Sequence, residues 1–182
     1  MFNFLKKKKP VQKESPRKKL EEPPRIRFSL SEDKALKKSM EKLSLPERLQ
    51  ESVVEELLQD LRLLERLKNY RSFPAILKKR LGELDAYEID ECVREDILLV
   101  WMIPLAMPYI LQNPLQANPF FHGGMLFDLC RTGETFWKAN PSYYRWYRTV
   151  VREVLAWGEE QELNLRLREA LEEFLSWDIP EK

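Results

Sequence analysis

The sequence predicts an all-α fold, and three observations predict it. No segment alternates apolar and polar residues cleanly over five positions, as a half-buried strand does. Glycine is scarce, at 5 of 182 residues, while Leu, Glu, Lys and Arg abound. These side chains lose little rotamer freedom in a helix, so the composition suits long helical stretches. Apolar residues also return at three- and four-residue steps over most of the chain, which places them on one side of a helix. The expectation is a compact domain of six or seven helices over residues 29–182, behind a disordered basic tail over residues 1–28.

In the tail, Lys6–Lys9, Pro10, Pro16, Arg17–Lys19 and Pro23–Pro24 offer no apolar period to hold a helix. The first helix is expected near Ser29 or Ser31, with Ser29 and Glu32 as a capping box and Leu36, Met40 and Leu43 as its apolar stripe. A second box, Ser44 to Glu47 with Pro46 in the first turn, predicts the longest helix. Leu49, Val53, Leu57, Leu61 and Leu64 align along it, and Val54, Leu58 and Leu67 widen that face. Ser72 and Pro74 predict a short third helix ended by Gly82. Asp85 and Glu88 open the next, which runs through Ile89, Cys92, Val93 and Ile97 into an all-round apolar stretch. Pro104 is expected to kink or break that central helix, and Pro108 to interrupt it again.

Asn113 to Gly124 reads as the main irregular stretch. A short helix over Met125–Cys130 follows, before Gly133. Asn140 and Pro141 then form a cap and first-turn pair for an aromatic-rich helix from Tyr143 to Trp157. Leu163, Leu167, Ala170, Leu171 and Phe174 continue the helical period to Trp177.

Hydrophobic residues at 43% are typical of a globular chain, and charged residues at 34% exceed the usual quarter. The net charge of +1 hides an asymmetry: residues 1–28 carry ten Lys or Arg against three Glu, so the tail is near +7 and the remainder near −6. Attraction to polyanions therefore belongs to Lys6, Lys7, Lys8, Lys9, Lys13, Arg17, Lys18 and Lys19. Two cysteines, Cys92 and Cys130, are too few for a disulfide framework and sit among apolar residues. The order of apolar and basic residues at the start does not match a signal peptide. The longest apolar run, Ile97 to Leu111, is shorter than a membrane span and holds two prolines. A soluble cytoplasmic protein is expected, with the tail able to bring it to the inner face of a membrane.

The chemistry-bearing patterns are sparse. His122-Gly123-Gly124 is like an oxyanion-hole turn, but the Gly-x-Ser-x-Gly elbow that it serves is absent. His122, Asp128, Cys130 and Glu134 lack the spacing of a metal site, and His122 is the single histidine. A Cys130–His122 nucleophile pair is one local pair without an orienting third group. No Gly-rich phosphate loop occurs. No catalytic residue, cofactor or metal is expected.

Arg145, Arg148 and Arg152 fall on one face of the aromatic-rich helix, opposite an aromatic inner face. Trp, Tyr and Arg are the usual anchors of protein interfaces. The favoured function is thus a non-enzymatic protein-binding module, such as an adaptor, inhibitor or immunity-type protein. Its expected contact residues are Phe120, Phe121, His122, Trp137, Tyr143, Arg145, Arg148 and Arg152. Two alternatives stand beside it. Arginines interleaved with aromatics, together with the basic tail, can hold nucleic acid. The lysines after Phe2, Phe4 and Leu5 can tether a chain to an anionic membrane.

Overall fold

A computed structural model describes residues 30–115, 124–160 and 163–180. The basic tail, with every lysine and arginine assigned to polyanion binding, lies outside the described residues, as do Phe120, Phe121 and His122. The fold is all-helical, as the periodicity predicts, but it holds eleven α-helices and two 3-10 turns among the described residues instead of six or seven helices.

Chain order explains the difference. Helix α1 (Lys34–Leu43) follows a 3-10 turn over Leu30–Glu32, and its cap is Asp33, whose carboxylate accepts from the amides of Ala35 and Leu36. The single long helix expected from Ser44 is three short ones: α2 (Glu47–Gln50), α3 (Val54–Leu57) and α4 (Leu61–Leu67). Tertiary hydrogen bonds break it. The amides of Val54 and Glu55 donate to the carbonyls of Lys79 and Leu77, and the Leu81 amide donates to Ser52. Backbone committed to a neighbouring segment cannot also complete a helical ladder. Asp60 restarts the helix by capping α4.

Ser72 and Pro74 open α5 (Phe73–Ile76) as expected, although Gly82 sits in the second 3-10 turn, Leu81–Glu83, and ends no helix. The Asp85–Glu88 capping box holds α6 (Ala86–Arg94) as read from the sequence. The central helix does not continue from it. Asp96 and Leu98 take positive φ, 54° and 51°, which ends α6 and starts α7 (Leu99–Gln112) in a new direction. Pro104 and Pro108 are accommodated inside α7.

Four helices complete the fold: α8 (Gly124–Arg131), α9 (Glu134–Ala139), α10 (Pro141–Glu160) and α11 (Leu165–Ser176). The sequence reading lacked α9. Gly158 lies inside α10, where a Cβ would meet the Leu163 side chain at 3.1 Å. Helix α6 packs on α7 and α8, α8 on α11, and α10 on α1, α9 and α11. One connected hydrophobic core runs from Leu30 to Ile179. None of the described helices is long and apolar enough to cross a membrane.

Candidate functional site

Helix α10 carries most of the residues singled out for contact, and the structure divides them. Its inner face builds an aromatic cluster. Trp137 stacks on Tyr147 with ring centroids 5.2 Å apart, and Phe174 meets both rings edge-on. Trp137 is therefore a core residue, 0% exposed, and its assignment to the contact surface is corrected. A large ring completes the space among α9, α10 and α11. The Tyr147 hydroxyl donates to the Leu126 carbonyl and lies 3.3 Å from Cys130 Sγ. Burial pushes the thiols of Cys92 and Cys130 up to about 12, so neither is an activated nucleophile.

The three arginines keep the spacing of one face of α10 but differ in exposure. Arg145 and Arg152 are exposed, whereas Arg148 is half-buried with its guanidinium 5.9 Å from the Tyr144 ring centroid. Arg148 thus lies at the inner edge of that face. Tyr143 is half-buried against the core, and burial raises its phenol above the ordinary value.

Arg145 instead borders a groove between α1 and α10. Trp146 locks the two helices together, its indole N–H donating to the Leu36 carbonyl at 3.3 Å. Beside that contact lies a cavity of about 390 Å³ with Leu36, Leu43 and Trp146 in its floor. Lys42 and Arg145 supply cations, Ser39, Ser142 and Thr149 supply hydroxyls, and the one lining acid, Asp33, is committed to capping α1. Helix α1 itself carries four lysines against one glutamate. The folded part is acidic on balance, yet this face is basic. Total charge concealed that segregation.

A second polar cluster, absent from the sequence reading, lies between α6 and α8. All of residues 89–93 are buried, although Asp90 and Glu91 are acids. Glu91 is fully engaged: it accepts from Ser72 Oγ, from the Tyr87 hydroxyl at 3.3 Å, and from the Arg94 guanidinium. Asp90 faces Asp128 of α8. Burial first, and then the Asp90 charge, raise Asp128 to about 7, against the smaller opposing pull of Arg94 and Arg131. Asp128 therefore keeps its proton through the mildly acidic range, where an ordinary aspartate has lost it.

Beside the pair opens a cavity of about 460 Å³ lined by Val93, Arg94, Asp96, Phe127, Arg131 and Thr132 as well as Asp128. Arg131 lies over the Phe127 ring at 5.6 Å. No group of three or more potential metal ligands occurs among the described residues. The only sign of this cluster in the sequence is a pair of acids, Asp90 and Glu91, interrupting the apolar stripe of α6. No protein-family model, curated protein or solved structure compared with the chain matches it.

Proposed function

We propose that the chain is a non-enzymatic protein-binding module that takes an acidic segment of a partner protein in the α1–α10 groove. The observation that carries this reading is that Lys42, Arg145 and three hydroxyls line one groove together with Leu36, Leu43 and Trp146. A peptide bearing carboxylates beside apolar side chains matches that lining in charge and in hydrophobicity. Helix α1 extends the positive field outward, which raises the encounter rate of an acidic partner.

The nucleic-acid alternative draws on the same cations but needs exposed rings for base stacking. Tyr144, Trp146 and Tyr147 turn into the core, which takes three of the helix's rings away from base stacking. What remains of that alternative, and of membrane tethering, rests on the basic tail.

The test is fluorescence anisotropy of the full chain with a labelled peptide alternating Glu and Leu, competed by a single-stranded oligonucleotide. Arg145→Glu and Lys42→Glu should each weaken peptide binding about tenfold or more, a change worth ~1.4 kcal/mol. Arg62→Glu, on exposed α4, should leave it unchanged. Binding that survives both groove substitutions belongs to the tail and overturns the proposal. So does an oligonucleotide that outcompetes the peptide at lower concentration.

A further inference from the structure

Between Asp96 and Asp128 the chain has no Asp, Glu, Lys or Arg, and α7 occupies the first part of that stretch. A helix apolar on every side belongs inside a core or against lipid, yet part of α7 reaches solvent. Trp101, Leu105 and Tyr109 are half-buried, and Pro108 and Gln112 are exposed. Their spacing of i, i+4, i+7, i+8 and i+11 puts them in one strip along the helix. Met102, Ile103, Ala106, Met107 and Ile110 are buried on its other side. The helix is roughly 21 Å long, too short to cross the ~30 Å core of a bilayer but able to lie on one.

Charge decides what this strip can meet. Residues 29–182 are acidic on balance, so an anionic surface repels most of the body. A helix without a carboxylate is where the body approaches such a surface most closely. The basic tail, near +7, also starts beside it: Leu30 is buried in the 3-10 turn that packs on α7. An extended chain spans at most ~3.6 Å per residue, so Lys18 and Lys19 stay within roughly 45 Å of Leu30. They are therefore held near any surface on which α7 rests. Helix α1 packs on α7 as well, and of its four exposed lysines only Lys42 lines the α1–α10 groove.

We propose that the outer strip of α7 seats the protein on the surface of an anionic bilayer, with Trp101, Leu105, Pro108 and Tyr109 among the headgroups and the tail lysines on the lipid charge. Trp and Tyr favour that depth because each ring is apolar with one polar end. A lysine near an anionic leaflet strengthens binding about fivefold. A single anchoring signal holds a protein only reversibly, whereas an apolar signal joined to a polybasic one gives a stable attachment. The tail supplies the second signal and α7 the first. Neither uses the groove, so an acidic partner can be held while the chain is on the membrane.

The experiment is flotation of the full chain with phosphatidylcholine vesicles, with and without phosphatidylglycerol. Only the anionic vesicles should carry the protein, and added salt should weaken the binding. Pro108→Glu puts a carboxylate in the strip while restoring a helical amide, so its Tm should be no lower than the parent's. Its binding should be weaker by about tenfold or more. Pro108→Gln, the neutral counterpart, and Leu61→Glu, on exposed α4, should both bind within about threefold of the parent. Phospholipid brominated in its acyl chains should quench the tryptophan fluorescence of the bound protein. Trp101→Phe should bind but lose most of that quenching, since Trp137 and Trp146 are buried. A chain that stays off anionic vesicles overturns the assignment. Equal binding by Pro108→Glu and Pro108→Gln would give the anchor to the tail alone, and quenching that survives Trp101→Phe would give it to another face. A dimer in solution that Pro108→Glu separates would assign the strip to a second copy of the chain instead.

Discussion

The Tyr143 hydroxyl donates to the Val100 carbonyl at 3.4 Å, and Val100 is the residue whose carbonyl Pro104 leaves without a helical amide. In an α-helix each carbonyl accepts from the amide four residues on, and proline has none to give. Helix α10 thus supplies from outside what α7 lacks within. The bond is solvent-exposed, so water can take over part of its role. Tyr143→Phe should therefore cost only ~0.5–1 kcal/mol. In a Pro104→Ala background the Val100 carbonyl regains a backbone donor, and the same substitution should cost close to nothing. Urea denaturation of the four chains in this cycle measures the coupling. Equal costs in both backgrounds would show that the two residues act independently.

Glu91 and Glu51 make a comparison in which burial decides the outcome. Glu91 is 2% exposed and accepts from three side chains, whereas Glu51 pairs with Arg80 in the open at 2.6 Å. Removing Glu91 strands the Ser72 and Tyr87 hydroxyls and leaves Arg94 without its carboxylate. Glu91→Ala should cost ~3–5 kcal/mol. Glu51→Ala should cost less than ~1 kcal/mol, because water and salt already screen that pair. Denaturation midpoints at constant m-value would distinguish the two, and similar losses would contradict the burial argument.

These two acids also show what sequence can and cannot reveal. The Asp85–Glu88 capping box was legible because all its partners lie within one turn. The aromatic inner face of α10 was legible because its period is local. The break at Leu98 was not: a leucine with φ of 51° has no local motive, and only packing of α7 on α6 holds it there. The missed interruption at Val54 has the same origin, since its amide is claimed by Lys79 from a distant segment. Asp90 and Asp128 likewise become a pair only when α6 meets α8. Arg145 was visible as a candidate, but Lys42 joins it through the packing of Trp146 on α1.

The Asp90–Asp128 pair gives stability a definite dependence on pH. An unfolded aspartate releases its proton near pH 4, while folded Asp128 holds its proton to about 7. Between those values the native state binds a proton that the unfolded state has lost. This contribution is therefore fully present below about pH 4 and is lost as pH rises to about 7, beyond which the curve is flat. Asp128→Asn removes the titration and keeps a donor toward Asp90. Its Tm should drop less than that of the parent chain between pH 5 and pH 8, by roughly 2 °C or more, the shift that ~1 kcal/mol produces in a chain this size. Parallel Tm profiles for the two proteins would rule out the raised titration of Asp128.

Trp137 offers the sharpest contrast between packing and contact. Its ring is enclosed by Phe136, Tyr144, Tyr147 and Phe174, with centroid separations of 5.2–6.3 Å. Its indole N–H is buried without a hydrogen-bond partner among the described residues. Trp137→Ala should cost ~3–5 kcal/mol through the cavity it leaves. Trp137→Phe gives up part of the ring but also removes an unsatisfied donor, a penalty of ~1–3 kcal/mol that offsets the lost contacts. The phenylalanine variant should thus retain most of the stability that the alanine variant loses. Guanidinium denaturation followed by far-UV circular dichroism measures both. Equal losses would mean that the N–H has a partner and that the tryptophan is held by a hydrogen bond as much as by its shape.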